Sequence, residues 1–288
     1  MIYSLRTGYW LTLLLAIPTA GFLMRIFIFF HDSGHNSFFP STRLNRRIGF
    51  WLGVLVFTPG EHWWHAHAIH HATSGNLDRR GVGDVETLTV EEYQKLSPVG
   101  RLGYRIFRYP LVMFGLGPIW MFLIKHRWPS PRFGRKETMG VVWTNLAILA
   151  IAAGLSWWIG FYNYVLIQLP LLWIAGMVGI WMFYIQHQFK SVYWVRNSEW
   201  NLLAAAFQGA SCYRLPRVLE WFSGNIGYHH IHHLMPRVPN YQLDRAYQSA
   251  EVLRQAPTFN FRQSLSCIPL ALIDEKAGKM VSFRQAAG

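Results

Sequence analysis

Charge is scarce in this chain. Asp, Glu, Lys and Arg make up only 14% of its 288 residues, against about 25% in an ordinary soluble domain. That shortage excludes a charge-rich disordered chain, a coiled coil and a collagen-like fibre. Cysteine is nearly absent: Cys212 and Cys267 are the only two, too few for a disulfide framework or a Cys-rich zinc site. Acid is scarcer than base, with 14 Asp and Glu against 27 Lys and Arg and a formal net charge of +13 with His neutral. No internal repeat and no low-complexity tract is visible. What the chain has instead is apolar and aromatic: 52% hydrophobic residues, including 14 Trp, 13 Tyr and 20 Phe.

The apolar residues come in long runs, which disfavours a large water-soluble globule. A bilayer-crossing helix needs about 20 such residues. Residues 8–30, 140–161 and 164–186 qualify. The last two are separated by a tight turn and read as a transmembrane hairpin. Residues 48–58 and 111–124 are too short to cross and read as interfacial or partly buried helices. The first run lacks a basic start and a small-residue cleavage site, so it does not read as a signal peptide. The loop at 129–136 reads as a solvated connector. The expected fold is all-α: an integral membrane bundle with a helical cap built from residues 31–139 and 187–288.

Lys and Arg placement predicts the orientation. Before His31 there are only Arg6 and Arg25, and the hairpin turn has none. All the rest fall in the two cap segments, which the positive-inside rule assigns to the cytoplasm. Nucleic acid is another reading of a basic chain, but here the cations are scattered among Trp, Phe and Leu runs. A basic cytosolic membrane face fits them better.

Thirteen histidines are present, and most are clustered. His31 and His35 form an HxxxH box directly after the first run. His67, His70 and His71 form HxxHH, and His229, His232 and His233 repeat it. His187 ends the third run. Residues three or four apart share one side of a helix, so each box is expected to aim two or three imidazoles at one point. The topology drawn from charge and hydropathy puts all of them at one membrane edge. A structural zinc closes with four ligands; nine imidazoles suit two ions with positions left open. Imidazole serves iron, copper, zinc and nickel, so ligand type alone does not choose among them. An iron pair is favoured because open di-iron sites activate oxygen, although the soluble carboxylate bundles do so with Glu ligands that these boxes lack.

With these boxes split by a transmembrane hairpin, the sequence resembles the membrane fatty acid desaturase family, and within it bacterial acyl-lipid desaturases of the delta-5 and delta-12 (omega-6) type. Further matching stretches are HATSGNLDR at 71–79, TVEEY at 89–93, QHQF at 186–189, LPRV at 215–218, GYHHIHHL at 227–234 and PRVPNY at 236–241. The resemblance runs from about residue 9 to 283, as a single domain. It implies two iron ions held by His31, His35, His67, His70, His71, His187, His229, His232 and His233. His62, His65, His126 and His230 match no ligand position. Some animal relatives carry a water-bridged Asn four residues before the single histidine. Here that position is Phe183, and Asn225, four before His229, is the candidate substitute. Many relatives have Glu after QHQF, where this chain has Lys190. Family members usually carry another span ahead of the stretch matching Tyr9, and the start of this chain is expected to lack it.

The implied reaction takes an acyl-lipid chain, O2, two electrons and two protons to a cis double bond and two waters. The chain has no heme-attachment motif, fused cytochrome-like domain or nucleotide-binding Gly-rich loop. Electrons are therefore expected from a separate ferredoxin or flavodoxin, whose acidity would suit the basic face. Trp63, Trp64, Trp181 and Trp221 are candidates for a substrate tunnel wall. Asp32 is the first candidate to orient a ligating imidazole, with Asp78, Asp84 and Glu199 behind it, and Arg237 is a candidate for a lipid phosphate or for structuring its loop. The rival readings are a hydroxylase, acetylenase or ketolase with the same boxes, a non-catalytic metal-binding protein or transporter, and an inactive shortened chain. The expected location is the bacterial inner membrane, with the site on its cytoplasmic side.

Overall fold

A computed structural model describes residues 1–286. Three helices are long and apolar enough to cross a membrane: Tyr9–Gly34, Arg135–Ile159 and Phe161–His187. The successive helices Pro98–Arg108 and Leu111–Arg127 would make a fourth if counted as one span. The Arg135–Ile159 helix is the least covered, with 11% of its most apolar window buried. Apolar side chains left that exposed need lipid around them.

The second and third long helices form the expected hairpin. Gly160, at φ 86°, ends one and leads into the other; that left-handed conformation is one glycine adopts at no steric cost. Trp157, Trp158, Phe161 and Tyr162 surround the turn and are 70–91% exposed. Such a ring of aromatic side chains at the end of two apolar helices is the pattern of a membrane–water interface.

The chain divides into two compact units. The first comprises residues 1–65, 114–180 and 221–224. Its aromatic packing centres on the end of the Tyr9–Gly34 helix. Trp64 stacks on Phe30 at 5.3 Å and donates from Nε1 to the Phe30 carbonyl at 3.0 Å. Trp63 packs against both Phe27 and Phe30 at 5.3 Å. Arg25, the only cation within that helix, lies 4.1 Å over the Trp221 ring, which shields its charge from the apolar surroundings.

The second unit comprises residues 66–113, 181–220 and 225–288. Its short helices begin on side-chain caps. Thr89 and Glu92 form a reciprocal capping box, as do Asn260 and Gln263. Ser97 caps Gly100 ahead of Pro98, and Asn201 caps Leu203 and Ala204. Each satisfies backbone N–H groups that have no partner inside the helix.

Two small sheets in this unit were not foreseen in the all-helical reading. β1 (Leu88–Thr89) runs parallel to β4 (Leu270–Asp274), which pairs antiparallel with β5 (Lys279–Ser282). β2 (Cys212–Tyr213) runs parallel to β3 (Thr258–Phe259). Tyr93, Tyr104, Ala271, Leu272 and Val281 pack together on the larger sheet. Arg108 is 6% exposed and, among the described residues, has no carboxylate within ion-pair distance. Its guanidinium donates to Glu86 O, Thr87 Oγ1, Tyr184 OH, Gln188 Oε1 and Leu270 O. One buried cation thereby fixes the loop before β1, the start of β4 and the segment around His187. Nothing in the sequence pattern marked Arg108.

Candidate metal centre

Four imidazoles meet inside the second unit. His70 lies on the Gly60–Thr73 helix, His187 closes the Phe161–His187 helix, and His229 and His233 share the short His229–Leu234 helix. One nitrogen from each lies within 4.8 Å of the others. All four side chains are buried. His70 Nε2 lies 3.2 Å from His187 Nε2, which lies 2.8 Å from His229 Nε2, and His233 Nε2 lies 3.2 Å from His229 Nε2. Two nitrogens each about 2.1 Å from one ion stand roughly 3.0–3.4 Å apart. Two of these three spacings lie in that range and the third falls just below it, so the cluster could close around one ion.

A second group forms in the same unit. His71 Nε2 lies 3.1 Å from His67 Nε2 and 2.9 Å from His232 Nε2. The two HxxHH boxes are thus divided between the groups, whereas each box was expected to serve one point. Successive residues of an α-helix are turned by about 100°. A residue at i+4 therefore lies about 40° from i on one side, and a residue at i+3 about 60° on the other. The i, i+4 pairs His67/His71 and His229/His233 stay together, and the i+3 members, His70 and His232, join the other group.

The far nitrogens of two of these imidazoles are also held. His70 Nδ1 faces Asp84 Oδ1 at 2.5 Å, and Asp84 is nearly buried. His187 Nδ1 faces the Gly209 carbonyl at 3.0 Å. An acceptor on Nδ1 requires the proton there, which leaves the Nε2 lone pair pointing at the cluster. Gly83 makes the first contact possible. At φ 77° it passes so close to the Gly60–Thr73 helix that a Cβ would lie 2.8 Å from the Ala66 carbonyl and 3.0 Å from His70 Cβ. The closely spaced glycines in Gly81-Val-Gly-Asp84 were the readable signal for this approach; the Gly209 carbonyl left none.

Burial, together with neighbouring His71, His229, His187 and His70, holds the His233 pKa well below the ordinary histidine value. His233 is therefore neutral near pH 7, the form that ligates metal. Phe183 packs on His70 at 5.2 Å and on His187 at 5.1 Å, a dry aromatic wall beside the cluster.

In the first unit, the ring centroids of His31 and His35 are 4.9 Å apart, and His31 Nδ1 faces Asp32 Oδ1 at 2.9 Å. The remaining histidines are engaged elsewhere. His62 Nε2 accepts from the Ser130 N–H, His65 pairs with Glu137, and His230 Nε2 donates to the Leu253 carbonyl. His126 is buried against Phe122. The Asn225 amide donates to the Asn240 carbonyl at 3.3 Å. Asp78 is committed to Arg196 and the Asn197 N–H, and the Glu199 carbonyl accepts from Tyr193 OH. Trp181 donates to Tyr213 OH, Trp221 stacks under Arg25, and Arg237 is exposed.

A family model described as fatty acid desaturase matches residues 8–263. A fatty acid desaturase of Bacillus subtilis is 47% identical over 281 residues, covering 98% of this chain and 80% of the relative. An endoplasmic-reticulum omega-3 fatty acid desaturase of Vigna radiata is 28% identical, covering 78% of this chain and 61% of the relative. An sn-1 acyl-lipid omega-3 desaturase (ferredoxin) of Synechocystis is 26% identical, covering 78% and 63%. The chain thus spans less than two thirds of the plant and cyanobacterial relatives and four fifths of the bacterial one. With its paired histidine groups and its membrane-length helices, the chain belongs to the fatty acid desaturase family, whose members are oxidoreductases.

Proposed function

We propose that the protein inserts a cis double bond into the acyl chain of a membrane lipid. It would use O2, two iron ions and electrons from a separate acidic carrier of the ferredoxin or flavodoxin kind. The observation that carries this reading is the buried cluster of His70, His187, His229 and His233 with Asp84 and the Gly209 carbonyl behind it. The residues fit a metal ion: all four donors are imidazoles, His233 is held neutral, and the nitrogen spacings are close to those of a shared coordination sphere. In this reading the four hold one ion. His67, His71 and His232, with His31 and His35, hold the other. Asp32 orients His31 as Asp84 orients His70. Asn225 remains a candidate to position a water.

When bound, the iron pair supplies the oxygen chemistry that removes two hydrogens from adjacent methylenes, yielding two waters with the two electrons and two protons delivered. The chain's own residues hold the imidazoles in one tautomer and keep water from the centre. Asp84 keeps a proton on His70 Nδ1, and the Gly209 carbonyl does the same for His187. Phe183, packed on His70 and His187, excludes water that would quench a strong oxidant. The Lys and Arg bias supports a centre on the cytoplasmic side; in this reading the membrane is a bacterial inner membrane and the basic surface meets the carrier.

The test is product analysis. The full chain is expressed in a bacterial host with a ferredoxin, and the host fatty acids are separated by gas chromatography and mass spectrometry with derivatives that locate double bonds. A new unsaturated acid that disappears in His229→Ala supports the reading. A hydroxylated acid instead would assign the same boxes to a hydroxylase.

A further inference from the structure

Away from the histidines, the second unit holds a cavity of about 380 Å³ at the edge of the β4–β5 hairpin. Its polar lining is one-sided. Lys190, Lys279 and Arg284 all border it, with Ser266, Ser282 and Gln285. None of these cations has a carboxylate within ion-pair distance among the described residues. The nearby acids are already occupied: Glu275 and Asp78 hold Arg196, and Asp274 accepts from the Ala277 N–H.

The polar groups are pre-set as well. The Gln285 amide oxygen accepts from both the Ser282 N–H and the Ser282 hydroxyl, at 2.9 and 3.0 Å. That fixes which end of the amide is which and leaves its NH2 for a ligand. Ser266 already donates its proton to the Gln263 carbonyl. The floor is apolar and firm, from buried Leu270, Met280 and Val281. Lys190 is anchored through its carbonyl, which accepts from the Met280 N–H at 2.9 Å. Three cations and an amide donor around one hollow suit an anion with several oxygens.

The place of the site along the chain points to a class of anion. The Phe161–His187 helix, long and apolar enough to span, ends at His187. Lys190 follows three residues later, so its Cα lies at most about 11 Å from that of His187. Cations just past the end of a span sit at the level of lipid headgroups. We propose that this cavity binds the phosphate of a phospholipid headgroup and so seats the lipid whose acyl chain is desaturated. Its role in substrate choice rests on the acyl-lipid reading above; the binding of phosphate does not.

The test uses the full chain, iron-loaded, in an uncharged detergent. Binding of dihexanoyl phosphatidylglycerol, an uncharged dihexanoyl galactolipid and inorganic phosphate is measured by calorimetry. The variants are Lys190→Gln/Lys279→Gln/Arg284→Gln and a control of equal charge loss, Arg43→Gln/Arg46→Gln/Arg47→Gln. A cation beside an anionic headgroup changes binding about fivefold, so the first variant should bind phosphatidylglycerol about 100-fold more weakly. The control should bind it normally, the galactolipid should not distinguish them, and iron content should match the parent. Equal weakening in both triple variants, or in neither, would overturn the proposal. Inorganic phosphate binding as tightly as the lipid, and lost with the same three cations, would reassign the cavity to a free anion. The readout needs no turnover. A missing unsaturated product would count against the desaturase reading alone.

Discussion

Asp84 Oδ1 lies 2.5 Å from Nδ1 of His70, on the far side of that ring from the other imidazoles. Asp84→Asn keeps an acceptor there but removes the charge that makes His70 a strong donor. Metal affinity is expected to fall about 10–100-fold, read by competition with a coloured chelator. Asp84→Ala should fall at least as far. Unchanged affinity in both would remove Asp84 from the centre.

The approach of Asp84 depends on Gly83. A Cβ there meets the Ala66 carbonyl at 2.8 Å with φ at 77°. Gly83→Ala is expected to cost about 1–3 kcal/mol and to lower metal occupancy together with melting temperature. A stability loss with full occupancy would mean that the turn is structural only.

His229 and His230 are neighbours in the chain, but only His229 joins the imidazole cluster. His230 is tied to the Leu253 carbonyl, so His230→Ala should cost stability, about 1–3 kcal/mol for an orphaned buried acceptor, while metal content per folded chain holds. His229→Ala should lose metal. Elemental analysis of the folded fraction of each variant separates them.

Cys212 and Cys267 are both buried, and burial pushes each thiol up to about 11. Near pH 8 neither should carry appreciable thiolate. Iodoacetamide is expected to leave both unmodified in the folded protein and to label both after denaturation, as read by intact mass. Rapid labelling of the folded chain would contradict their placement.

The sequence analysis reached the boxes because helical spacing and membrane-length runs are local properties. It reached the hairpin helices for the same reason, and the structure extends them only to Arg135–Ile159 and Phe161–His187. The division of each HxxHH box was also encoded, in the opposite angular offsets of i+3 and i+4, but became apparent only with two groups in view. β4 and β5 read merely as apolar residues flanking the turn-like Asp274, Glu275 and Lys276, since strands this short gain their stability from a sheet rather than from propensity. Arg108 and the Gly209 carbonyl were invisible for a stronger reason. Each acts through partners far away in the chain, and a backbone carbonyl carries no sequence signature.

The most direct measurement is the iron content of the purified, folded chain from iron-supplied cells, beside His71→Ala and His229→Ala. The account predicts two irons per parent chain, with each variant losing at least one. One iron in the parent, or a full complement of zinc in place of iron, would contradict it.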